Sequence, residues 1–402
     1  MLLVRGTFSV QDSKSSDAGE FSSEKNRLAQ AVSLYLGFTG TGICCALMGV
    51  LLPTLLSEWH LDDHAGGLIF LLIWVGSSIG ALMVLNALRL SVALGCAAIA
   101  VATGALAFFG RSLSSPLMLL YGVGLGLTMT SISLLRQKKE SHARSVELVR
   151  LNLTWAIGAC VCPVLMSQAL RSGNPRQALL AVTGLFAAIA GVTLLVVSRD
   201  KHLSSKASIV LPTWTIFRQV PITLILMTVL ATGIEASGGS WLATYAHRSQ
   251  PGVLFTIAAP TCLWAGLLSS RFLGSFADME RQMRRYLNIF LAMVVLSTMA
   301  LVSAVHGGGL LIASLILGFG LGPLYPIFLA KVLTYQQGGA IFFLAGVSSA
   351  IMPWMTGVVS THFSSLSLGL IVPAAGAVVL LLLGVTSWSS AATRLMPRGE
   401  LH

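Results

Sequence analysis

The sequence predicts an all-α polytopic membrane protein, with twelve transmembrane helices in two pseudo-symmetric six-helix halves. Three observations carry this. The chain is strongly apolar. Its apolar runs are continuous and of spanning length, about 20 residues. Landmarks of the first half recur in the same order in the second.

Of 402 residues, 55% are hydrophobic and only 10% are charged, and the mean hydropathy is +0.83. A water-soluble domain could not cover its surface with so few charges, whereas lipid solvates apolar surface. A backbone in hydrocarbon must satisfy its own hydrogen bonds, which leaves helices or closed barrels. A barrel shows short alternating strands, and the unbroken runs here are helical spans instead. The net charge of +11 does not point to nucleic acid, because the basic residues lie between apolar runs and form no stripe. The six cysteines (Cys44, Cys45, Cys96, Cys160, Cys162 and Cys262) all fall inside apolar runs and suggest packing, with neither a disulfide framework nor a metal site.

Spans are expected near 31–57, 65–88, 90–109, 114–135, 149–170, 177–197, 220–245, 251–274, 285–305, 308–333, 338–361 and 366–388. Around them the chain divides into a disordered tail (1–30), a first half (31–198), a linker (199–219), a second half (220–390) and a closing tail (391–402). With the N-terminus inside, only Arg111, Arg171, Arg176 and Arg248 of the 25 Lys and Arg fall outside. The positive-inside rule therefore places both termini in the cytoplasm, of a bacterial-type inner or plasma membrane, and counts Arg271, at the end of the eighth span, with the cytoplasmic segments.

The halves echo each other. Trp74-Val-Gly76 recurs as Trp264-Ala-Gly266, an offset of 190. Gly122-Val-Gly124-Leu-Gly126 recurs as Gly318-Phe-Gly320-Leu-Gly322, an offset of 196, and Pro163 recurs as Pro353. The Gly-x-x-x-Gly spacings among them fit close helix packing. Pro323 and Pro326 are expected to kink the tenth helix.

Five stretches resemble the fucose–galactose–glucose:proton symporter family and its sodium-coupled glucose-transporter relatives, within the major facilitator superfamily (MFS). They are GVLLPTLLSEWHLDDHAGGLIF from Gly49, LNLTWAIGACVCPVLM from Leu151, GIEASGGSWLATY from Gly233, GFGLGPLYPIFLA from Gly318 and AGVSSAIMPWMTGVVS from Ala345. The resemblance implies an MFS fold, a solute bound between the halves and alternating-access transport of a hexose-like solute. Two features depart from the pattern. The superfamily's Gly-x-x-x-Asp loop motif is missing between helices two and three, and survives as Gly274 to Asp278 followed by Arg281, Arg284 and Arg285. Helices one and four also lack the carboxylate expected of a proton-coupled sugar member.

Glu235 is the only acidic residue well inside a span. A charge at a helix centre costs about 2.5–3.5 kcal/mol on insertion scales, so it is retained to face a cavity, pair or bind. With no Lys or Arg assigned to the membrane, a binding or coupling role is preferred over a hydrogen bond to a neighbouring helix. Gly238-Gly239 just beyond it is a place where the helix could unwind. Aromatic rings suit the C–H faces of a sugar, and polar groups suit its hydroxyl rim. Trp155, Trp241, Tyr245, Trp264, Tyr325, Trp354, Tyr35 and Phe38 are candidates for the faces, with Trp59 and Trp388 read as interfacial anchors. Asn152 fits equally a pocket or an interhelical bond. Asp278 with Arg281, Arg284 and Arg285 is read as a conformational latch at the cytoplasmic gate.

The expected activity is therefore transport of a small polar solute, most simply a monosaccharide, by a monomer in the lipid bilayer. No enzyme chemistry, cofactor, metal or nucleic-acid partner is expected, and the coupling ion is a proton, sodium or none. A proton-linked exporter of amphipathic compounds and a non-transporting solute sensor are the alternatives.

Overall fold

The computed structural model describes residues 12–85, 87–136, 141–199, 216–250, 252–274, 283–303, 306–333, 335 and 338–394. Among the described residues twelve long helices follow in chain order, with short helical segments such as Ser167–Ser172 and Leu366–Gly369 between them. In the first half they are α1 (Asp12–Glu58), α2 (Asp63–Leu82), α3 (Leu88–Phe109), α4 (Ser114–Arg136), α5 (Ser141–Leu165) and α6 (Arg176–Arg199). In the second they are α7 (Ile222–Ser249), α8 (Val253–Gly274), α9 (Met283–Val302), α10 (Gly308–Leu321, resuming as Leu324–Leu333), α11 (Gly338–Phe363) and α12 (Ile371–Arg394).

Ten helical stretches among the described residues are long and apolar enough to cross a membrane. One of them, Leu88–Arg136, holds both α3 and α4, and Tyr286–Val302 in α9 is a further, shorter apolar helix. All twelve expected crossings are thus present as helices. The tails differ from expectation. α1 runs back to Asp12, through residues read from the sequence as a disordered tail, and α12 continues to Arg394. Residues 12–52 contain no proline and many good helix formers, so nothing stops the helix. The linker 199–219 is described only at Arg199 and in the short helix Ile216–Gln219.

Large apolar side chains such as Val101, Leu195, Leu254 and Leu296 point outward, where lipid would solvate them. α1 lies deepest, with Leu47, Val50, Leu51 and Leu52 fully enclosed. The sequence echo becomes the same contact made twice. A Cβ on Gly76 would strike the Leu119 carbonyl of α4, and one on Gly266 would strike the Leu315 carbonyl of α10. Gly122 meets Ile73 as Gly318 meets Leu263. In each half a helix pair packs backbone to backbone because the side chains between them are absent.

The two halves meet along three pairs: α1 with α7, α2 with α11, and α5 with α8. With an even number of crossings, the start of α1 and the end of α12 lie on one face, the terminal face. The α2 and α7–α8 turns lie on the opposite face.

Candidate functional site

α7 carries Glu235 near mid-depth. It is an unbroken helix, so the expected unwinding at Gly238-Gly239 does not occur. Gly239 serves close packing instead. A Cβ there would lie 2.7 Å from the Trp264 ring, and a Cβ on Gly49 of α1 would run into the Gly239 carbonyl. The two halves are pinched together at this point.

Below the pinch, toward the terminal face, Glu235 has a partner that sequence reasoning missed. Arg271 of α8 places Nη2 3.4 Å from the Glu235 carboxylate. Both side chains are enclosed, at 7% exposure for Arg271 and 15% for Glu235. The expectation that no Lys or Arg is available to Glu235 was therefore incorrect: Arg271 lies in the last turn of α8 and its long side chain reaches back into the bundle. The available signal was its spacing of seven from Trp264, which puts both on one helix face.

α10 holds this arginine in place. Its helix breaks at Gly322-Pro323, as the prolines predict. Pro326 has no N–H to offer the carbonyl four residues earlier, which belongs to Gly322. Arg271 Nε donates to that carbonyl at 3.0 Å. The guanidinium also lies 5.4 Å from the ring centre of Trp155, contributed by α5 of the other half. Trp155 meets Trp264 edge to face, with centroids 5.7 Å apart. Tyr325 of α10 lies within electrostatic reach of both Glu235 and Arg271. Glu235, Arg271, Trp155, Trp264 and Tyr325 thus form one cluster between the halves.

Other sequence candidates lie elsewhere. Trp241 is fully enclosed and donates its indole N–H to the Pro353 carbonyl at 2.8 Å. Tyr245 donates to the Leu301 carbonyl at 2.9 Å. Both tie helices together. Tyr35 sits under the Arg136 guanidinium, 4.7 Å from its ring centre, and Phe38 is in the apolar core. Trp354 lies near the opposite face, beside His64. Asn152 is half-buried on α5. Trp59, expected as an interfacial anchor, is 6% exposed, and its backbone carbonyl accepts from Arg111. Asp278 and Arg281 lie outside the described residues, as do the side chains of Arg284 and Arg285.

The opposite face is shut by a second group that sequence reasoning missed. Asp62 caps α2 by accepting from the Ala65 N–H, while Asp63 turns toward the other half. Arg248 at the end of α7 grips the Asp63 carboxylate through both terminal nitrogens, at 2.6 and 2.7 Å. Ser360 of α11 donates to the same carboxylate at 2.5 Å, and the His64 N–H donates to Thr361. A separate small crevice inside the second half, lined by residues such as Ile234, Leu242 and Leu317, carries no charged side chain.

A two-half bundle of long apolar helices, with a buried ion pair of the second half facing Trp155 of the first, has the MFS-like architecture of an integral, multi-pass membrane protein. No protein-family model matches the chain, and no curated protein matches its sequence. Solved structures do match. A POT family transporter in complex with a thioalcohol-conjugated peptide aligns at TM-score 0.69 and 13% identity, over 89% of this chain and 96% of that one. The nucleoside transporter NupG aligns at 0.65 and 12%, over 89% and 98%. The E. coli fucose:proton symporter FucP aligns at 0.57 and 16%, over 88% and 97%. At these identities the likeness is one of fold. The fucose symporter is among the matches, but the peptide and nucleoside transporters align at higher TM-scores, so the sugar family is not singled out.

Proposed function

We propose that this chain is a secondary transporter that moves a small, polar, sugar-sized solute by alternating access, held here with its opposite face closed. The observation that carries the reading is the Glu235–Arg271 pair, enclosed between the halves and touched by Trp155 from the far side. A buried ion pair is often no more stabilising than apolar packing of the same volume, so stability alone does not account for it. Its position where two rocking halves would separate does. The Asp63–Arg248–Ser360 group supplies a closure that can open without disturbing either half internally.

The basic excess at the terminal face supports a cytoplasmic assignment for that side, and the clamp on the opposite face supports solute exchange from the terminal side. Glu235 is the residue through which a proton or sodium would couple. Uptake of labelled solutes into proteoliposomes, with and without an imposed ion gradient, tests the reading. Saturable uptake that is abolished by Glu235→Ala supports it. Binding without uptake for every solute tried would make the chain a sensor instead.

A further inference from the structure

The central cluster is unusual in its polarity. Arg271 spends Nε on the Gly322 carbonyl and Nη2 on the Glu235 carboxylate. The indole N–H groups of Trp155 and Trp264 are buried and make no hydrogen bond. The Trp155 indole has at most the Cys45 thiol, a weak acceptor, beside it. These two side chains are 8% and 4% exposed. An unmade bond from a buried donor costs roughly 1–3 kcal/mol, and two neighbouring indole donors beside the Arg271 guanidinium are buried without a strong acceptor here. The missing chemistry is therefore that of an acceptor. A neutral hexose, whose hydroxyls both donate and accept, fits such a site less well than a carboxylate, which only accepts.

Resting on the transporter reading above, we propose that the solute carries a carboxylate, which binds Arg271 with the Trp155 and Trp264 N–H groups and takes the place of Glu235. Charge balance fixes what Glu235 must do. Glu235 and Arg271 form a neutral pair. A second carboxylate added to that pair would leave net negative charge among Trp, Phe and Leu side chains, which is expensive. If the solute anion replaces Glu235 on the guanidinium, Glu235 takes up one proton to become a neutral acid, and the site is neutral again. The titratable or charged groups around Glu235 are Cys45 from α1, Arg271 from α8 and Tyr325 from α10. α11 and α12 also pack on α7 and bring none to it among the described residues. The only base in that set able to receive the proton while Arg271 stays charged is Glu235 itself.

The matched probes are D-glucuronate and D-glucose, which share a ring and differ by a carboxylate, together with lactate as a carboxylate without a ring. Binding is measured on the purified full chain in nanodiscs, and uptake in proteoliposomes. Glucuronate should bind roughly 10- to 150-fold tighter than glucose, the range of one charge-assisted hydrogen bond. Its affinity should rise as pH falls, by up to about tenfold per pH unit, because binding takes up a proton. Glu235→Gln should abolish that pH dependence. Arg271→Gln alone leaves a buried carboxylate unpaired and risks misfolding, so the double variant Arg271→Gln/Glu235→Gln is the informative one. It should fold and lose the preference for glucuronate. Trp155→Phe, which keeps a ring beside Arg271 and removes the N–H, should lower glucuronate affinity and leave that of glucose little changed.

Equal binding of glucose and glucuronate, a double variant that keeps the preference, or failure of both carboxylates to bind would overturn the anion site. Saturable uptake of neutral hexose alone would remove the anion site and leave the transport reading standing. Glucuronate that binds with the expected pattern but is never taken up would do the reverse.

Discussion

Asp63→Asn should loosen the closed face without unfolding either half. The Asp63 side chain is 8% exposed and accepts three hydrogen bonds, two from Arg248 and one from Ser360. An amide in its place keeps one accepting oxygen but turns an NH2 group toward the guanidinium, so at least one charge-assisted bond is lost. Such bonds are worth about 1.5–3 kcal/mol when enclosed. Arg248 is 45% exposed, so solvent screens much of its share, and exposed pairs are worth about 0–1 kcal/mol. A net loss of about 1–2 kcal/mol is reasonable, which shifts the closed-to-open ratio about 5- to 30-fold. The assay is electron-spin distance measurement between labels at Leu68→Cys and Phe363→Cys, on the outer parts of α2 and α11. The background must lack the six native cysteines. A longer-distance population should grow in Asp63→Asn and in Arg248→Gln. It should grow no further in the double variant, because both changes remove one interaction. Unchanged distances, or additive shifts, would refute the clamp.

Four other outcomes are expected. Gly239→Ala should cost about 1–3 kcal/mol by overpacking against Trp264, while Gly238→Ala, whose new Cβ meets ordinary contacts at 3.5 Å, should melt like the parent. Tyr245→Phe and Trp241→Phe each lose one bond to a backbone carbonyl and should lower stability by about 0.5–1.5 kcal/mol in denaturation, with solute affinity unchanged. Pro326→Ala restores an N–H for the Gly322 carbonyl and should compete with Arg271 Nε, loosening the arginine and weakening solute binding by up to about tenfold in titrations. Tags at either terminus or within 201–210 should be reached from the cytoplasm, and a label at Asp62 only from outside; labelling of both from one side would break the assignment of faces.

The crossings were legible because the bilayer demands continuous apolar length, and no local choice competes with it. The repeat was legible because close backbone contact demands glycine, and Gly76 and Gly266 mark the same contact. The site was legible only in part. Glu235 announced itself as a lone carboxylate in an apolar run. Arg271 did not, because a basic residue near a span end has an ordinary explanation in sidedness, and only the fold shows which way a long side chain turns. Asp63 and Arg248 were likewise indistinguishable from loop charges, since their meaning is a contact across 185 residues. Trp241 and Tyr245 show the opposite error: an aromatic residue next to the site in sequence points to another face of the helix, where a backbone carbonyl takes its hydrogen bond.

The pinch between Gly49 and Gly239 does not sit midway along α7. From Gly239 to the helix end at Ser249 is about 15 Å, and back to its start at Ile222 about 25 Å, at 1.5 Å per residue. It is an off-centre fulcrum. In a rigid rock about that point, parting Arg248 from Asp63 by about 3 Å sweeps the start of α7 about 5 Å the other way. The short arm carries the bonds that must break, and the long arm carries the travel. A modest change in clamp strength would thereby be geared into a large change of aperture at the terminal face.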